Sequence, residues 1–448
     1  MSPARLRLGL LLVVVAVYAT ALRAGFQFDD FRVIVDQPAV QGLRAWAAGL
    51  TGLRPLLKLS YALNGALDPG PFGFHLVNVA LHGANTLLVF ELGRRLFPEG
   101  KAPATLAALL FALHPVQTEA VTYVCGRSVS LMATFYLGGL LLHVAARRRG
   151  GRPGRPAAVA LLFLAACLVR ETALTFPLAL LLVEALPLRA QGVPPPQAAD
   201  LAPTFLAAGA FGAYVLLQPD YHRFLEGAFR APRPGPAGAA ALEALAYLGA
   251  RTLWPHPLNL DPGLLAPAAF SLRHGAVAAV LLLGGLGLAR GARRHPEAAF
   301  GGAWILLHLL PTTSLVPRPE LANERHLYLA LAGAGFLVAP AALALARRPA
   351  GRLLLAAPLL ALAVLTLRRQ EDYRTELRMW TQSLAANPRN PRAHVNLGVA
   401  KAEAGDLQGA RDSFLAALRE DPAYAPAREN LARLPLAEAP GRREEMSR

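Results

Sequence analysis

The sequence predicts an all-α protein, a polytopic membrane helical bundle of about eleven spans followed by a short C-terminal domain of helical repeats. Of the 448 residues 54% are hydrophobic and only 17% are charged. Apolar runs that approach the roughly 20 residues needed to cross a bilayer recur up to residue 369, after which a polar helical period begins. We therefore expect a membrane domain over 1–369, a repeat domain over 370–436 and a disordered tail over 437–448.

The apolar runs give the positions of the spans. The first follows Arg5 and Arg7 like a signal peptide, but no persuasive cleavage site comes after it, and we interpret it as an anchor. The stretch 239–258 is interrupted by Arg251 and two prolines, and is expected to lie at the interface or re-enter rather than cross. The predicted spans are 6–24, 74–93, 103–118, 128–146, 156–169, 172–188, 201–217, 274–290, 298–316, 326–346 and 352–367.

Basic residues indicate how the bundle is oriented. The 45 Lys and Arg against 29 Asp and Glu fit nucleic acid or anionic lipid, but their position in short loops between apolar runs favours lipid, and no nucleic-acid partner is expected. They fall on every second connection, which predicts a cytoplasmic N-terminus and an outer C-terminus. We expect a multi-pass protein of the bacterial inner membrane, or of the endoplasmic reticulum if eukaryotic, with the active site and repeats outside.

The C-terminal region carries a repeat signature. Residues 391–424 fit the 34-residue tetratricopeptide pattern, in which small residues let two helices cross closely. Trp380 and Pro388 occupy the equivalent places one repeat earlier, which predicts half a preceding repeat. Because about three repeats are needed for a stable stack, the array should lean on the membrane domain or on a partner. The matching residues are Leu397, Gly398, Ala410, Phe414, Ala417 and Pro422.

The first of four polar clusters on the predicted outer side is the pair Asp29 and Asp30, directly after the first span. Adjacent carboxylates at a membrane surface repel each other and are costly to desolvate. Arg54 and Lys58 follow in a loop where 52–66 fits an amphipathic helix. The pair could be solvated loop acids, but its position would let a carboxylate reach a reactant at the lipid surface.

The second cluster, His114, Glu119 and Arg127, lies at the turn between two spans. Glu119 could position a base or a metal and Arg127 could hold an anion, although a capped helical hairpin would show the same residues. In the third cluster, Arg170 and Glu171 are adjacent and point about 100° apart on a helix, so each should find its partner elsewhere, in a site or in a structural tie.

The fourth cluster is Glu324, Arg325 and His326, at the start of a span. The planar guanidinium fork suits phosphate, and a helix N-terminus adds backbone donors, while snorkelling at the interface is the alternative. Phosphate loops, dinucleotide folds, nucleophile elbows and zinc hydrolase signatures are not evident. No organic cofactor is implied, and a divalent metal stays open.

A polar stripe lies on the second span at helical spacing. It indicates a face turned to the bundle interior, where hydrogen bonds between helices are the commoner role and a metal site lacks an acidic ligand. Its members are His75, Asn78, His82 and Asn85.

Several blocks together resemble one family, the GT-C glycosyltransferases of the transmembrane and tetratricopeptide-repeat type, relatives of the protein O-mannosyltransferases. The similarity extends over nearly the whole chain. The sequence departs from the family pattern at Arg170, where a Lys is usual, and at His326, where an aromatic is common. The blocks are FQFDDFRVIVDQPAV at 26–40, RPLLKLSYALN at 54–64, GFHLVNVALH at 73–82, LLFALHPVQTEAVTYVCGRSVSLMATFYL at 109–137, RETALTFPLALLL at 170–182, ERHLYLALAGAGF at 324–336 and EDYRTELRMWTQSLAANPRNPRAHVNLG at 371–398.

The resemblance implies transfer of a monosaccharide, typically mannose, from a polyprenyl-phosphate carrier to an acceptor hydroxyl on the outer face, with inversion. Asp29 and Asp30 match the acidic motif that acts as base and orients the acceptor, Arg325 with His326 would hold the phosphate, and the repeats would hold a polypeptide acceptor. The candidates are Asp29, Asp30, His114 and Glu119 for catalysis, Arg127, Arg170, Glu171, Arg325 and His326 for the donor phosphate, and Trp380, His394 and Asn396 for the acceptor.

Other functions are consistent with some of these sequence features. A ligase or polymerase of lipid-linked glycans would differ only in donor and product. A transporter or flippase would place charges near mid-span in paired repeats, whereas these charges gather at span ends. A scaffold would use the repeats to recruit an extracytoplasmic partner beside an inactive membrane domain.

Overall fold

A computed structural model describes residues 1–49, 52–97, 100–149, 154–230, 235–311, 313 and 320–434, and every regular element in these ranges is helical. The predicted tail over 437–448 lies outside the described residues. The helices up to the middle of the chain are α1 Pro3–Tyr18, α2 Leu43–Ala48, α3 Pro55–Leu67, α4 Pro71–Leu96, α5 Lys101–Leu113, α6 Thr118–Val121, α7 Arg127–Arg147, α8 Arg155–Val169, α9 Phe176–Val183 and α10 Ala198–Leu217.

The second half of the chain is also helical, with short 3-10 turns between several helices. The expected amphipathic helix near 52–66 is present as α3, and α12 occupies the stretch that was predicted not to cross. The helices are α11 Pro219–Arg230, α12 Ala237–Leu253, α13 Leu272–Gly291, α14 Pro296–Leu310, α15 Leu327–Leu345, α16 Pro349–Asp372, α17 Glu376–Ala386, α18 Pro391–Glu403, α19 Leu407–Glu420 and α20 Ala425–Arg433.

Among the described residues, eight helical segments are long and apolar enough to cross a membrane, and a ninth arises if α5 and the segment Pro115–Val121, bent by 53°, count as one span. The expectation of eleven spans is therefore too high by this measure. Two of the expected spans correspond to α8 and α14, which are 15 residues each and fall short of the roughly 20 residues needed to cross the hydrocarbon core. The chain is a multi-pass membrane protein.

Small residues let the central helices approach closely. A Cβ built on Gly301 in α14 would lie 2.5 Å from the carbonyl oxygen of Gly333 in α15, so only glycine fits at this crossing. Trp304 is fully buried beside it, and its indole Nε1 donates a hydrogen bond of 2.7 Å to the carbonyl of Leu329. This tight pair holds α15, and with it the polar turn Glu324–His326 at its start.

The polar stripe of α4 faces the bundle interior, as predicted. His82 contacts the Tyr328 hydroxyl at 3.0 Å, and Asn85 donates to the carbonyl of Ser130 at 2.8 Å and to the same hydroxyl at 3.0 Å. Asn78 donates to the carbonyl of Tyr123 at 3.3 Å. The stripe therefore ties α4 to α7 and α15 by hydrogen bonds between helices.

The C-terminal helices divide into two packing groups. Trp380 of α17 and Leu397 of α18 belong to the main core of the membrane domain. Phe414 of α19 centres a small second core against α18, where a Cβ on Gly398 would lie 2.4 Å from the Phe414 ring. The close helix crossing expected from the repeat pattern is thus present, and the helices lean on the membrane domain.

Two groups of connections mark opposite ends of the bundle. Arg148, beyond the C-terminus of α7, donates to the carbonyl of Arg95 at 3.0 Å, and Gln191 donates to the same carbonyl at 2.9 Å. At the other end of α7, the backbone N–H of Cys125 donates to Asp30. The arginine-rich loops expected to share one side therefore do meet there, and the acidic pair lies at the opposite end.

Candidate active site

Asp30 is built into the loop that follows the first span. Its side chain is only 1% exposed, and its two oxygens accept backbone N–H groups from Gln27 at 3.0 Å and Cys125 at 2.8 Å. Burial raises the pKa of Asp30 from 3.8 to about 7, against the lowering effect of these hydrogen bonds and with a smaller raising effect from Asp29. Asp30 thus joins the loop to the start of α7.

Asp29 has a more open environment. Its side chain is 30% exposed, and Oδ1 lies 3.1 Å from the guanidinium of Arg32. Its backbone N–H donates to the hydroxyl of Tyr123 at 3.1 Å. Of the two adjacent acids, Asp29 is the one whose carboxylate a reactant can reach.

The backbone directly before the pair is held in an unusual conformation. Phe28 has a φ of 48°, in the left-handed region that a bulky residue seldom adopts. Its N–H donates to Glu376 at 3.0 Å, and its ring meets that of Trp380 edge to face at 5.0 Å. The cation of Arg392 lies 5.8 Å from the same ring. Side chains of α17 and α18 therefore fix the loop that carries the acids.

The turn before α15 carries two buried carboxylate contacts. Glu119, 1% exposed, accepts the backbone N–H of Arg325 at 2.9 Å, and its other oxygen lies 3.7 Å from the Arg325 guanidinium. Glu324 points away from Arg325 and accepts the Tyr247 hydroxyl and the Asn259 N–H, both at 2.7 Å. Glu119 thereby orients Arg325, and Glu324 ties the turn to α12 and the segment after it.

Three of the predicted phosphate ligands line one cavity. Arg170, Arg325 and His326 line a small cavity of about 30 Å³ together with apolar side chains of α7 and α15. The guanidinium of Arg170 donates to the Ser128 hydroxyl at 2.9 Å. His308 of α14, which the sequence did not single out, lines the same cavity. We call this space the cationic cavity.

Tyr123 contacts the acidic pair through its hydroxyl. Its hydroxyl accepts the Asp29 N–H, and the charges of Asp29, Asp30 and Arg325 all act on it, the acids raising its pKa together with burial and Arg325 lowering it. The acids and the cation that borders the cavity therefore lie within electrostatic range of one hydroxyl. Sequence reasoning missed Tyr123, although it stands inside the quoted block at 109–137.

Arg127 and His114 lie apart from the cationic cavity. Arg127 is fully buried and donates to Asn78, Asn64 and the carbonyls of Phe74 and Ser60. With its guanidinium bound to protein acceptors on every arm, Arg127 has no group directed at a donor phosphate, and its geometry favours a structural role. His114 contacts the carbonyl of Thr252 at 3.1 Å, which links the turn to α12.

Glu171 is likewise held by protein partners. Arg54 approaches its carboxylate with two nitrogens, at 3.1 Å and 3.0 Å, and the Tyr221 hydroxyl donates to it at 2.7 Å. Arg170 and Glu171 thus have separate partners, as their angular separation predicts. Glu171 anchors α3 and α11 to the turn before α9, and does not join the phosphate candidates in the cationic cavity.

The three acceptor candidates have different surroundings. Trp380 is fully buried beneath Phe28, so a direct contact between its side chain and an acceptor is at odds with the structure. His394 contacts the carbonyl of Pro388 at 2.8 Å on the surface of α18. Asn396, on the same helix, has no hydrogen-bond partner for Nδ2 among the described residues.

Within the described ranges, no group of three or more His, Cys, Asp or Glu side chains has an arrangement that could hold a metal ion. Asp29 and Asp30 on one side, and the arginines and His326 on the other, are the ionisable side chains of the described site. A carboxylate can take a proton, and guanidinium groups can stabilise an anion.

Fold and site define a multi-pass helical membrane protein with an acidic pair and a cationic cavity at one end of the bundle. Over about a third of its length the chain is a distant homologue of protein O-mannosyl-transferases of the TMTC type. It is 36% identical to Tmtc1 of Drosophila melanogaster over 178 residues, 35% of this chain and 20% of that protein. It is 33% identical to human TMTC4 over 172 residues, 32% of this chain and 23% of that protein.

The chain thus spans about a fifth of the length of these relatives. No protein family model matches it. A comparison with solved structures found two weak similarities. The oligosaccharyltransferase of Archaeoglobus fulgidus, crystallised with a tethered acceptor peptide, has a TM-score of 0.45 at 13% identity, covering 90% of this chain and 58% of that one. Arabinosyltransferase EmbB of Mycobacterium smegmatis has a TM-score of 0.40 at 16% identity, covering 90% and 44%.

Proposed function

We propose that the protein is an inverting GT-C glycosyltransferase that moves a monosaccharide, mannose in the first instance, from a polyprenyl-phosphate donor to a hydroxyl of an extracytoplasmic protein. One observation carries the proposal: Arg170, Arg325 and His326 line one cavity. The homology to protein O-mannosyl-transferases supports the choice of sugar and acceptor.

The cationic cavity holds the donor phosphate. As the bond between the sugar and the phosphate breaks, its electron pair leaves with the phosphate, which gains negative charge. Arg325 and Arg170 stabilise this charge with charge-assisted hydrogen bonds, and Glu119 keeps Arg325 in place for that role. The apolar lining by Val129, Met132 and others limits water around the leaving group.

Asp29 acts as the base. Its carboxylate removes the proton of the acceptor hydroxyl while the hydroxyl oxygen bonds to the sugar carbon from the face opposite the phosphate, which inverts that carbon. Asp30 is a positioning residue, because both of its oxygens already hold backbone N–H groups. In this proposal the C-terminal helices form the predicted tetratricopeptide groove and carry the acceptor polypeptide along α18 and α19, with His394 and Asn396 on the contact face.

The test is transfer of mannose by the purified full-length protein from polyprenyl-phosphate mannose to an acceptor polypeptide, followed by the mass of the acceptor. Asp29→Asn should lower the rate about 10²- to 10⁴-fold, the usual contribution of a general base. Arg325→Gln should lower it about 10²- to 10³-fold. Asp36→Asn, in an exposed position a few residues further on, is the matched control and should keep full activity.

Undiminished transfer by Asp29→Asn and Arg325→Gln would overturn the proposal. A mass increase that appears on a lipid-linked glycan instead of on the polypeptide would identify the ligase or polymerase alternative. Loss of partner capture without any transfer activity in the wild type would favour a scaffold.

A further inference from the structure

A second cationic space lies at the opposite end of the bundle from the candidate active site. It is an open cavity of about 490 Å³ lined by Arg94 and Arg95 at the end of α4, by Arg148 beyond α7 and by Gln191. Because α7 has 21 residues and rises about 1.5 Å per residue, this space lies about 30 Å from the start of α7, at the other membrane face. We call it the arginine cavity.

The positive charge around the arginine cavity exceeds what nearby described acids neutralise. Glu91 lies 2.6 Å from a nitrogen of Arg7, 3.1 Å from one of Arg94 and 2.8 Å from one of Arg95, so three guanidinium groups share one carboxylate. Arg148 adds a fourth cation, whose contact is a backbone carbonyl. Among the described residues, which leave out Glu99, four arginines therefore face one acid, a surplus of three positive charges.

Helix ends offset little of this surplus. The C-termini of α4 and α7 each carry about half a negative charge, so together they cancel about one of the three. The carbonyls of Arg95 and Leu96 already accept Gln191 and Arg148. The carbonyls at the C-terminus of α4 are thus satisfied by Gln191 and Arg148.

In a neighbouring cavity at the same end, carboxylates neutralise the positive charge of the arginine. There Arg147 pairs with Glu184 at 2.7 Å and with Asp200 at 3.1 Å, and His143 contacts Glu184 at 2.8 Å. An arginine at this end of the bundle can therefore be neutralised by nearby carboxylates.

We propose that the arginine cavity binds a phosphate group, carried by the headgroup of an anionic phospholipid in the adjoining leaflet. Several guanidinium forks around one space match the bidentate geometry of phosphate oxygens. Phe97 and Val193 add an apolar wall, which suits the glycerol and first acyl carbons next to a headgroup better than a fully hydrated ion.

The experiment is native mass spectrometry of the purified full-length protein in detergent, with phosphatidylglycerol or phosphatidylcholine added. The wild type should retain phosphatidylglycerol and release phosphatidylcholine. The double variant Arg95→Gln, Arg148→Gln should bind phosphatidylglycerol roughly tenfold more weakly. Arg149→Gln removes an exposed positive charge at the same end without lining the cavity, and should bind like the wild type.

Competition with inorganic phosphate distinguishes the two sources of the ligand. Displacement of the lipid by phosphate would assign the site to soluble phosphate compounds, and persistence of the lipid would assign it to the headgroup. Equal retention of the two lipids by the wild type would overturn the proposal without any variant. Equal weakening by Arg149→Gln and the double variant would also overturn it, since general surface charge would then explain the binding.

Discussion

Two adjacent aspartates have different properties here because their surroundings differ. Asp30 is buried with both oxygens occupied by backbone N–H groups, whereas Asp29 is partly exposed and paired with Arg32. Two adjacent acids can take different roles when one carboxylate is desolvated and the other is not. The positions of the two carboxylates in the folded loop thus favour Asp29 over Asp30 as the proposed base. Residue type alone leaves this choice open.

The raised pKa of Asp30 predicts a pH effect on stability. Folding raises the pKa from 3.8 to about 7, so in this range the folded protein binds the extra proton. The contribution of Asp30 is therefore most favourable at low pH and declines as pH rises from about 4 to about 7, by about 1.4 kcal/mol per pKa unit at most. Thermal unfolding midpoints in detergent, measured across this range, should show a decline that Asp30→Asn reduces and Asp36→Asn keeps. The same pH slope in all three proteins would contradict the prediction.

Glu119 is predicted to act on the donor phosphate through Arg325. Glu119→Gln keeps an oxygen for the Arg325 backbone N–H but removes the charge beside its guanidinium. We expect kcat for mannose transfer to fall roughly tenfold, less than with Arg325→Gln, because Arg325 stays present but is less well oriented. Glu119→Asp should recover part of the rate. A loss as large as that of Arg325→Gln would indicate that Glu119 itself touches the reactants.

At the scale of elements, α17 supports the loop that carries Asp29 and Asp30. Its Glu376 and Trp380 hold Phe28 in a left-handed conformation one residue before Asp29. Helix α19, by contrast, packs on α18 through Phe414 in a separate small core. The C-terminal helices therefore combine two functions that a single repeat domain would not suggest: the first positions the loop and the later ones extend the surface.

This division predicts different kinetic effects for two aromatic truncations. Trp380→Ala should lower kcat, because Phe28 loses its packing partner and the strained loop relaxes. Phe414→Ala should raise KM for the acceptor polypeptide and leave kcat nearly unchanged, because it loosens only α18 against α19. Steady-state transfer assays with varied acceptor separate the two parameters. A fall in kcat of equal size in both variants would refute the division.

At the scale of the whole molecule, hydropathy predicted the helical bundle, and the arginine pattern predicted which loops share an end, because both follow from local composition. The span count was less accurate, since α8 and α14 are too short to cross by length alone. Within the site, the charges of Arg325 and Asp29 were visible in the sequence. The roles of Tyr123, Arg54 and Trp380 were not, because they depend on contacts between residues far apart in the chain.

The orientation of the bundle is the last prediction. The arginine cavity and the acidic pair mark opposite ends, and the positive-inside rule assigns the arginine end to the cytoplasm. Single cysteines placed at Arg149 and at Asp412 of α19 should therefore react differently with a membrane-impermeant maleimide. In sealed vesicles or cells with the outer face exposed, Asp412→Cys should be labelled directly and Arg149→Cys only after permeabilisation. Cys125 and Cys167 are both buried, so the unmodified chain gives the background. Direct labelling of Arg149→Cys would reverse the orientation and place the candidate active site on the cytoplasmic face, where a polyprenyl-phosphate donor and an extracytoplasmic acceptor could not meet.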